Sequence, residues 1–323
     1  MIQSRFFPAL FGLAIGVGLL ACSSPERPEV VRLDYATYNP LSLLLKDSGH
    51  LEQELAKDAV RVEWLKSLGS NKALELLSSE SVDFGSTAGA AALIARANKN
   101  PLRAIYVYSK PEWTALVTLA DSGITNVVDL RGKKVAVTRG TDPFVFLLRA
   151  LDSVGLGESD VELVPLQHAD GKLALERGDV QAWAGLDPLM ASAELEGGAQ
   201  LFFRNADWNT YGVLDVRQRF AEQYPGFVDR VLQAYEWAHR RALAAPDELA
   251  AALAKEAHLS EAVAARVLSR TDLSSTAIGE LQHSAIARAG DVLKKTQVIP
   301  ADTDVEATTR ALIDPSFSLR LAR

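Results

Sequence analysis

From Val30 onward the chain repeats one scheme: an apolar run of strand length, a few small, hydroxylated or acidic residues, then apolar positions recurring at helical spacing. In "VVRLDYATYNPLSLLLKDSG" this predicts a strand to about Tyr35, a turn at Thr37-Tyr38-Asn39, and a helix opened by Pro40, whose fixed φ suits a first helical turn. "VRVEWLKSLGSNKALELLSS" gives a strand to about Leu65, the turn Gly69-Ser70-Asn71, and a helix with Ala73, Leu74 and Leu77 on one face. "VDFGSTAGAAALIARA" runs from a strand through the junction Gly85-Ser86-Thr87 into an alanine-rich helix. "KKVAVTRGTDPFVFLLRALDSVG" gives a strand over Val135 to Thr138, a turn from Arg139 to Asp142, and a helix opened by Pro143.

Further on, "LALERGDVQAWAGLDPLMASAE" predicts a helix end at Gly178, a short buried strand from Val180 to Ala184, a turn at Leu186-Asp187-Pro188, and another helix. Two strand candidates follow, Gln200 to Arg204 and Tyr211 to Val216, and from Phe227 the pattern is almost wholly helical. Alternating strands and helices predict an α/β fold with largely parallel sheets. Sheet-forming sequence occupies the first two thirds, so the later helices must pack back on earlier strands. The expected organisation is two α/β lobes, 30–112 plus 213–323 and 113–212, with the chain crossing near 113–122 and returning near 205–212.

Each strand-to-helix junction is rich in Ser, Thr, Asn or Asp. Such residues cap the free amides of a first helical turn, which accounts for any one junction alone. Four of them together admit a second reading, because ligands of open α/β sheets bind beyond the carboxyl ends of strands, where helix N-termini favour anions.

Composition narrows the chemistry. The chain has 34 Lys and Arg against 41 Asp and Glu, a net charge of −7, which argues against general nucleic-acid binding. Arg5 is the one charge in an N-terminal segment whose apolar or Gly run, Ala9 to Ala21, is too short to span a bilayer. Residues 1–21 therefore read as a signal peptide. Cys22, the only cysteine, precludes an internal disulfide, and residues 22–29 read as a short tether. The five histidines are scattered with no helical metal-site spacing, so neither a metal nor a cofactor is expected. "GSTAG" is not a nucleophile elbow, no phosphate-binding loop is present, and nothing pairs Asp142 with Asp187 as acid and base, so no catalytic residue is assigned. His168, beside Asp170, is the one histidine singled out for a role.

The lipobox-like "LLAC", "GSNKALELLSSESVDFGSTAGAAALIARA", "VVDLRGKKVAVTRGTDPFVFLLRAL" and "ERGDVQAWAGLDPLMASAE" together resemble the periplasmic solute-binding proteins of ABC importers for aliphatic sulfonates and taurine. That wider group includes nitrate-binding and pyrimidine-precursor proteins. The resemblance implies a type II Venus-flytrap fold of two lobes joined by two crossover strands, closing on a small organic anion. It implies a membrane permease and ATPase as partners, and a lipid on Cys22 holding the protein to the periplasmic side of a membrane. It places ligand contacts at Tyr38, Asn39, Ser70, Ser86 and Thr87 on the first lobe and Thr141, Asp142 and Asp187 on the second. Leu186 stands where many relatives have Trp. Asp142 reads either as the partner of a ligand amine or as a helix cap. Arg139 is either a ligand contact or solvent-facing, Trp183 either cleft or core, and Trp208 and Tyr211 are placed near the ligand's organic part. A pyrimidine-precursor-like binding or biosynthetic protein and a sensor without a permease are the alternatives.

Overall fold

The computed structural model describes Met1 and residues 27–321; the signal segment and Cys22 lie outside the described residues. The strands in chain order are β1 (Val30–Tyr35), β2 (Arg61–Lys66), β3 (Phe84–Ala88), β4 (Leu102–Pro111), β5 (Thr114–Leu119), β6 (Lys134–Val137), β7 (Glu162–Pro165), β8 (Ala182–Leu186), β9 (Ala199–Phe203), β10 (Gly212–Arg217) and β11 (Thr271–Asp272). They form two sheets, ordered β11-β4-β10-β3-β1-β2 and β7-β6-β8-β5-β9.

Helices cover both faces of each sheet. One core cluster packs Leu41, Leu45, Leu51, Leu55 and the helix Pro225–Ala244 against the six-stranded sheet, and another packs Leu93, Ile286 and Leu293 against it. Leu33, Leu41, Leu45, Leu51 and Leu55 are fully buried, each gaining about 1.5–3 kcal/mol of transfer free energy. The five-stranded sheet lies between the helix Asp142–Ser153 and the helices His168–Glu176 and Leu189–Leu195. No helix among the described residues is long and apolar enough to cross a membrane.

Three expectations are corrected. The sheets are mixed and not largely parallel: β1 pairs in parallel with β2 and β3, and β6 with β7 and β8, whereas β10 is antiparallel to β3 and β4, and β5 to β8 and β9. The cause is the chain path, since the strands that carry it between the sheets run against their neighbours. The chain leaves the six-stranded sheet at Pro111, enters the other at Thr114, and returns between Phe203 and Gly212. Secondly, Gly85, Ser86 and Thr87 are not a junction but the middle of β3, buried between β1 and β10, and the helix begins only at Gly89. Thirdly, β8 starts two residues later than the apolar run suggested, at Ala182, and takes Leu186 into the strand.

Candidate functional site

A cavity of about 220 Å³ lies where the carboxyl ends of strands from the two sheets face each other. Thr37 and Tyr38 follow β1, and Lys66 and Leu68 end and follow β2; Gln167 and His168 follow β7, and Leu186 and Asp187 end and follow β8. The segment Glu256–Leu259 closes one side. The helices Ser70–Ser78 and His168–Glu176 begin at this place, and neither Gly69 nor Gln167 caps its helix with a side chain. Their first-turn amides and partial positive charge are therefore available to an anion.

The two sides meet at Gly69, whose φ of +151° favours glycine. A Cβ there would lie 2.8 Å from Asn71 Oδ1 and 3.1 Å from His168 Nε2. His168 Nδ1 lies 3.2 Å from Thr138 Oγ1, whose own proton goes to the Leu166 carbonyl at 2.7 Å, so Nδ1 is the donor and Nε2 carries the lone pair. Burial pushes the His168 pKa down to about 4, so the ring is neutral at pH 7. Lys66, the cation on the wall, is already paired with Glu256 at 2.7 Å. Asn71 Oδ1, Gln167 Oε1, His168 Nε2 and Asp187 Oδ2 are buried without a hydrogen-bond partner. All four are acceptors, an unusual concentration for buried polar atoms.

Asp187 Oδ1 accepts from the Ala191 amide at 2.9 Å, and Oδ2 lies 3.6 Å from Arg270 Nη1. Burial pushes the carboxyl up to about 7, against the pull of Arg270. Arg270 also pairs with Glu194, so the last third of the chain grips the β8 end.

Of the eight residues named from the sequence, Tyr38 and Asp187 line the cavity. The others are held within the protein. Tyr38 Oη meets Ser67 Oγ at 2.8 Å and donates to the Ser86 carbonyl at 2.9 Å. Asn39 caps its helix through Oδ1, 3.3 Å from the Ser42 amide, and donates through Nδ2 to Ser86 Oγ at 2.8 Å. The Ser86 amide and hydroxyl both donate to Asp34 Oδ1, at 2.8 and 2.7 Å, and Thr87 Oγ1 donates to Asp215 Oδ2 at 2.6 Å. Ser70 Oγ accepts from the Ala88 amide at 3.0 Å, and Thr141 Oγ1 donates to the Thr138 carbonyl at 2.6 Å.

Asp142 neither caps its helix nor stands free for an amine. Its carboxylate accepts from Trp113 Nε1 at 2.8 Å and from the Thr210 amide and hydroxyl at 3.1 and 2.6 Å. One residue thereby ties both connections between the sheets to the helix Asp142–Ser153. Arg139 is exposed and pairs with Glu158, the solvent-facing reading. Trp183 is core, with no exposure, and Trp208 and Tyr211 line a different cavity, not the cleft.

Asp34 and Asp215 were missed. Each is fully buried, and desolvation raises the pKa of Asp34 to about 6 and that of Asp215 well above the usual carboxylate range. Their signal was visible: a lone Asp inside the apolar strands "VVRLDY" and "GVLDVR" needs buried donors, and the hydroxyls of β3 supply them.

Two mixed sheets, two crossings side by side, and a cavity between opposed strand ends define the periplasmic binding-protein fold. The chain superposes with a TM-score of 0.80 on the alkanesulfonate-binding protein SsuA from Xanthomonas axonopodis pv. citri bound to MOPS, at 24% identity, covering 87% of this chain and 98% of that one. It belongs to the NMT1/THI5 like family, whose model matches residues 56–249. It is 28% identical over 300 residues to an aliphatic sulfonates-binding protein of Escherichia coli, covering 92% of this chain and 93% of the relative. Over 250 residues it is 26% identical to the taurine-binding periplasmic protein of Escherichia coli, covering 76% and 72%.

Proposed function

We propose that this chain is the substrate-binding protein of an ABC importer, capturing a small organic anion of the sulfonate class in the cleft and handing it to a permease and ATPase. The carrying observation is the cavity where helix N-termini from both sheets converge, with no unpaired cation on its wall. A sulfonate held by amides and helix dipoles needs no matched cation. The relatives named for aliphatic sulfonates and taurine support the same class.

Within that class, the unpartnered acceptors favour a ligand that brings N–H donors as well as an anion. Gln167, His168 and Asp187, which line the cavity, would receive an ammonium, which makes an amino sulfonate such as taurine the better fit than a plain alkanesulfonate. A binding role without turnover agrees with the relatives, which are named for binding sulfonates and taurine. The two units expected from the sequence, 30–112 plus 213–323 and 113–212, close on the ligand through the crossings that Asp142 ties together.

The protein works on the periplasmic side of a membrane, held there by lipid on Cys22. Cys22→Ser should move it from the membrane fraction to the soluble one; retention in the membrane fraction would contradict the anchor. For the ligand, thermal unfolding of the chain lacking residues 1–22 should shift upward with taurine or a short sulfonate and not with uracil or nitrate. A shift with a pyrimidine alone would favour the precursor-binding alternative.

A further inference from the structure

A second cavity, of about 600 Å³, shares no lining residue with the cleft. It lies where the returning segment Ala206–Tyr211 meets Arg149 of the helix Asp142–Ser153 and Arg288 of the helix Glu280–Lys295. Its wall carries Lys110, Arg149 and Arg288 against a single carboxylate, Asp207. Among the described residues none of these three cations has an acidic partner within 4.0 Å, in a chain whose net charge is −7. Repulsion of this kind is retained at a cost unless something neutralises it.

Arg149 is held in place: its guanidinium lies 4.7 Å from the centre of the Trp208 ring and donates to the Trp208 carbonyl at 3.4 Å. Burial lowers its pKa, Arg288 pushes the same way, and the buried Asp142 opposes both. Asn209, only 5% exposed, spends Nδ2 on the carbonyls of Asn205 and Ala206 at 3.1 and 3.2 Å, and its Oδ1 is left without a partner. Leu281, 75% exposed, adds an apolar side to the same wall. Cations, a buried lone acceptor and an aromatic ring at one place have the make-up of a ligand site and not of a solvated surface.

We propose that this cavity is a second binding site, for a small organic oxyanion that carries a hydroxyl or N–H donor. Its charge is shared by Arg149 and Arg288, its donor meets Asn209 Oδ1, and its apolar body lies against Trp208 and Leu281. The proposal does not depend on what occupies the cleft.

The probe is para-hydroxyphenyl phosphate, titrated into the full-length chain and followed by calorimetry and tryptophan fluorescence. Saturable binding is expected, with a fluorescence change that disappears in Trp208→Phe. Arg288→Glu, at an exposed position, should weaken binding at least tenfold, and Arg149→Gln, as a second variant, should weaken it as well. Asp187→Asn, in the cleft, should leave it unchanged. Absence of saturable binding at millimolar probe, equal affinity in Arg288→Glu and Arg149→Gln, or loss of binding in Asp187→Asn with the arginine variants unaffected would each overturn the site.

Discussion

Asp34 and Asp215 govern the residues that the sequence had marked as ligand contacts. Because Ser86 and Thr87 give their hydroxyl protons to these buried carboxylates, Ser86→Ala and Thr87→Ala remove a donor from a group with no water to replace it. Each is expected to lower stability by about 1–3 kcal/mol in urea unfolding, with cleft affinity affected less. Folding also raises the Asp34 pKa from 3.8 to about 6. The unfolded chain releases this proton first, so the contribution favours the folded state fully below about pH 4 and is lost as pH rises to about 6. Relative to Asp34→Asn, the parent should lose roughly 1.4 kcal/mol per pH unit across that window. His168, pushed down to about 4, acts in the opposite direction over the same range in both proteins, so the difference between parent and variant is the quantity to read. Tyr38 and Asp187 were legible as cleft residues because each stands just past a strand's carboxyl end. Ser86 and Thr87 were misread because β3 is longer than its apolar residues, its polar members being satisfied by carboxylates distant in sequence.

At the scale of elements, pattern located β1, β2, β3, β6, β8, β9 and β10 and the helix starts at Pro40 and Pro143, which are local signals, but not β4, β7 or β11. Strand direction was not legible. Nothing local says that β10 returns antiparallel between β3 and β4, because that follows from where the chain re-enters the sheet. Asp142 belongs to this scale: its local cue was a helix start, and its actual partners, Trp113 and Thr210, lie 29 and 68 residues away. Asp142→Ala strands a buried indole N–H, an amide and a hydroxyl. A destabilisation on the order of 3 kcal/mol is expected in denaturant unfolding, and a change within error would show that the tie contributes nothing. Gly69→Ala places a Cβ against Asn71 and His168 in a backbone conformation suited to glycine, so it should weaken ligand capture at least tenfold in a binding titration.

For the whole molecule, the two sheets and the cavity between them follow from strand ends, helix starts and two crossings, and the relatives share that plan over most of their length. The central claim is that the cleft holds a sulfonate through helix N-termini and takes its amine on the unpartnered acceptors around Asp187. The most direct measurement is calorimetric titration of the chain lacking residues 1–22 with taurine and with ethanesulfonate, repeated for Asp187→Asn. Binding in the micromolar range or tighter is expected, taurine ahead of ethanesulfonate, with Asp187→Asn weakening taurine at least tenfold and ethanesulfonate little. Binding of neither sulfonate by the parent protein, while it remains folded, would contradict the account.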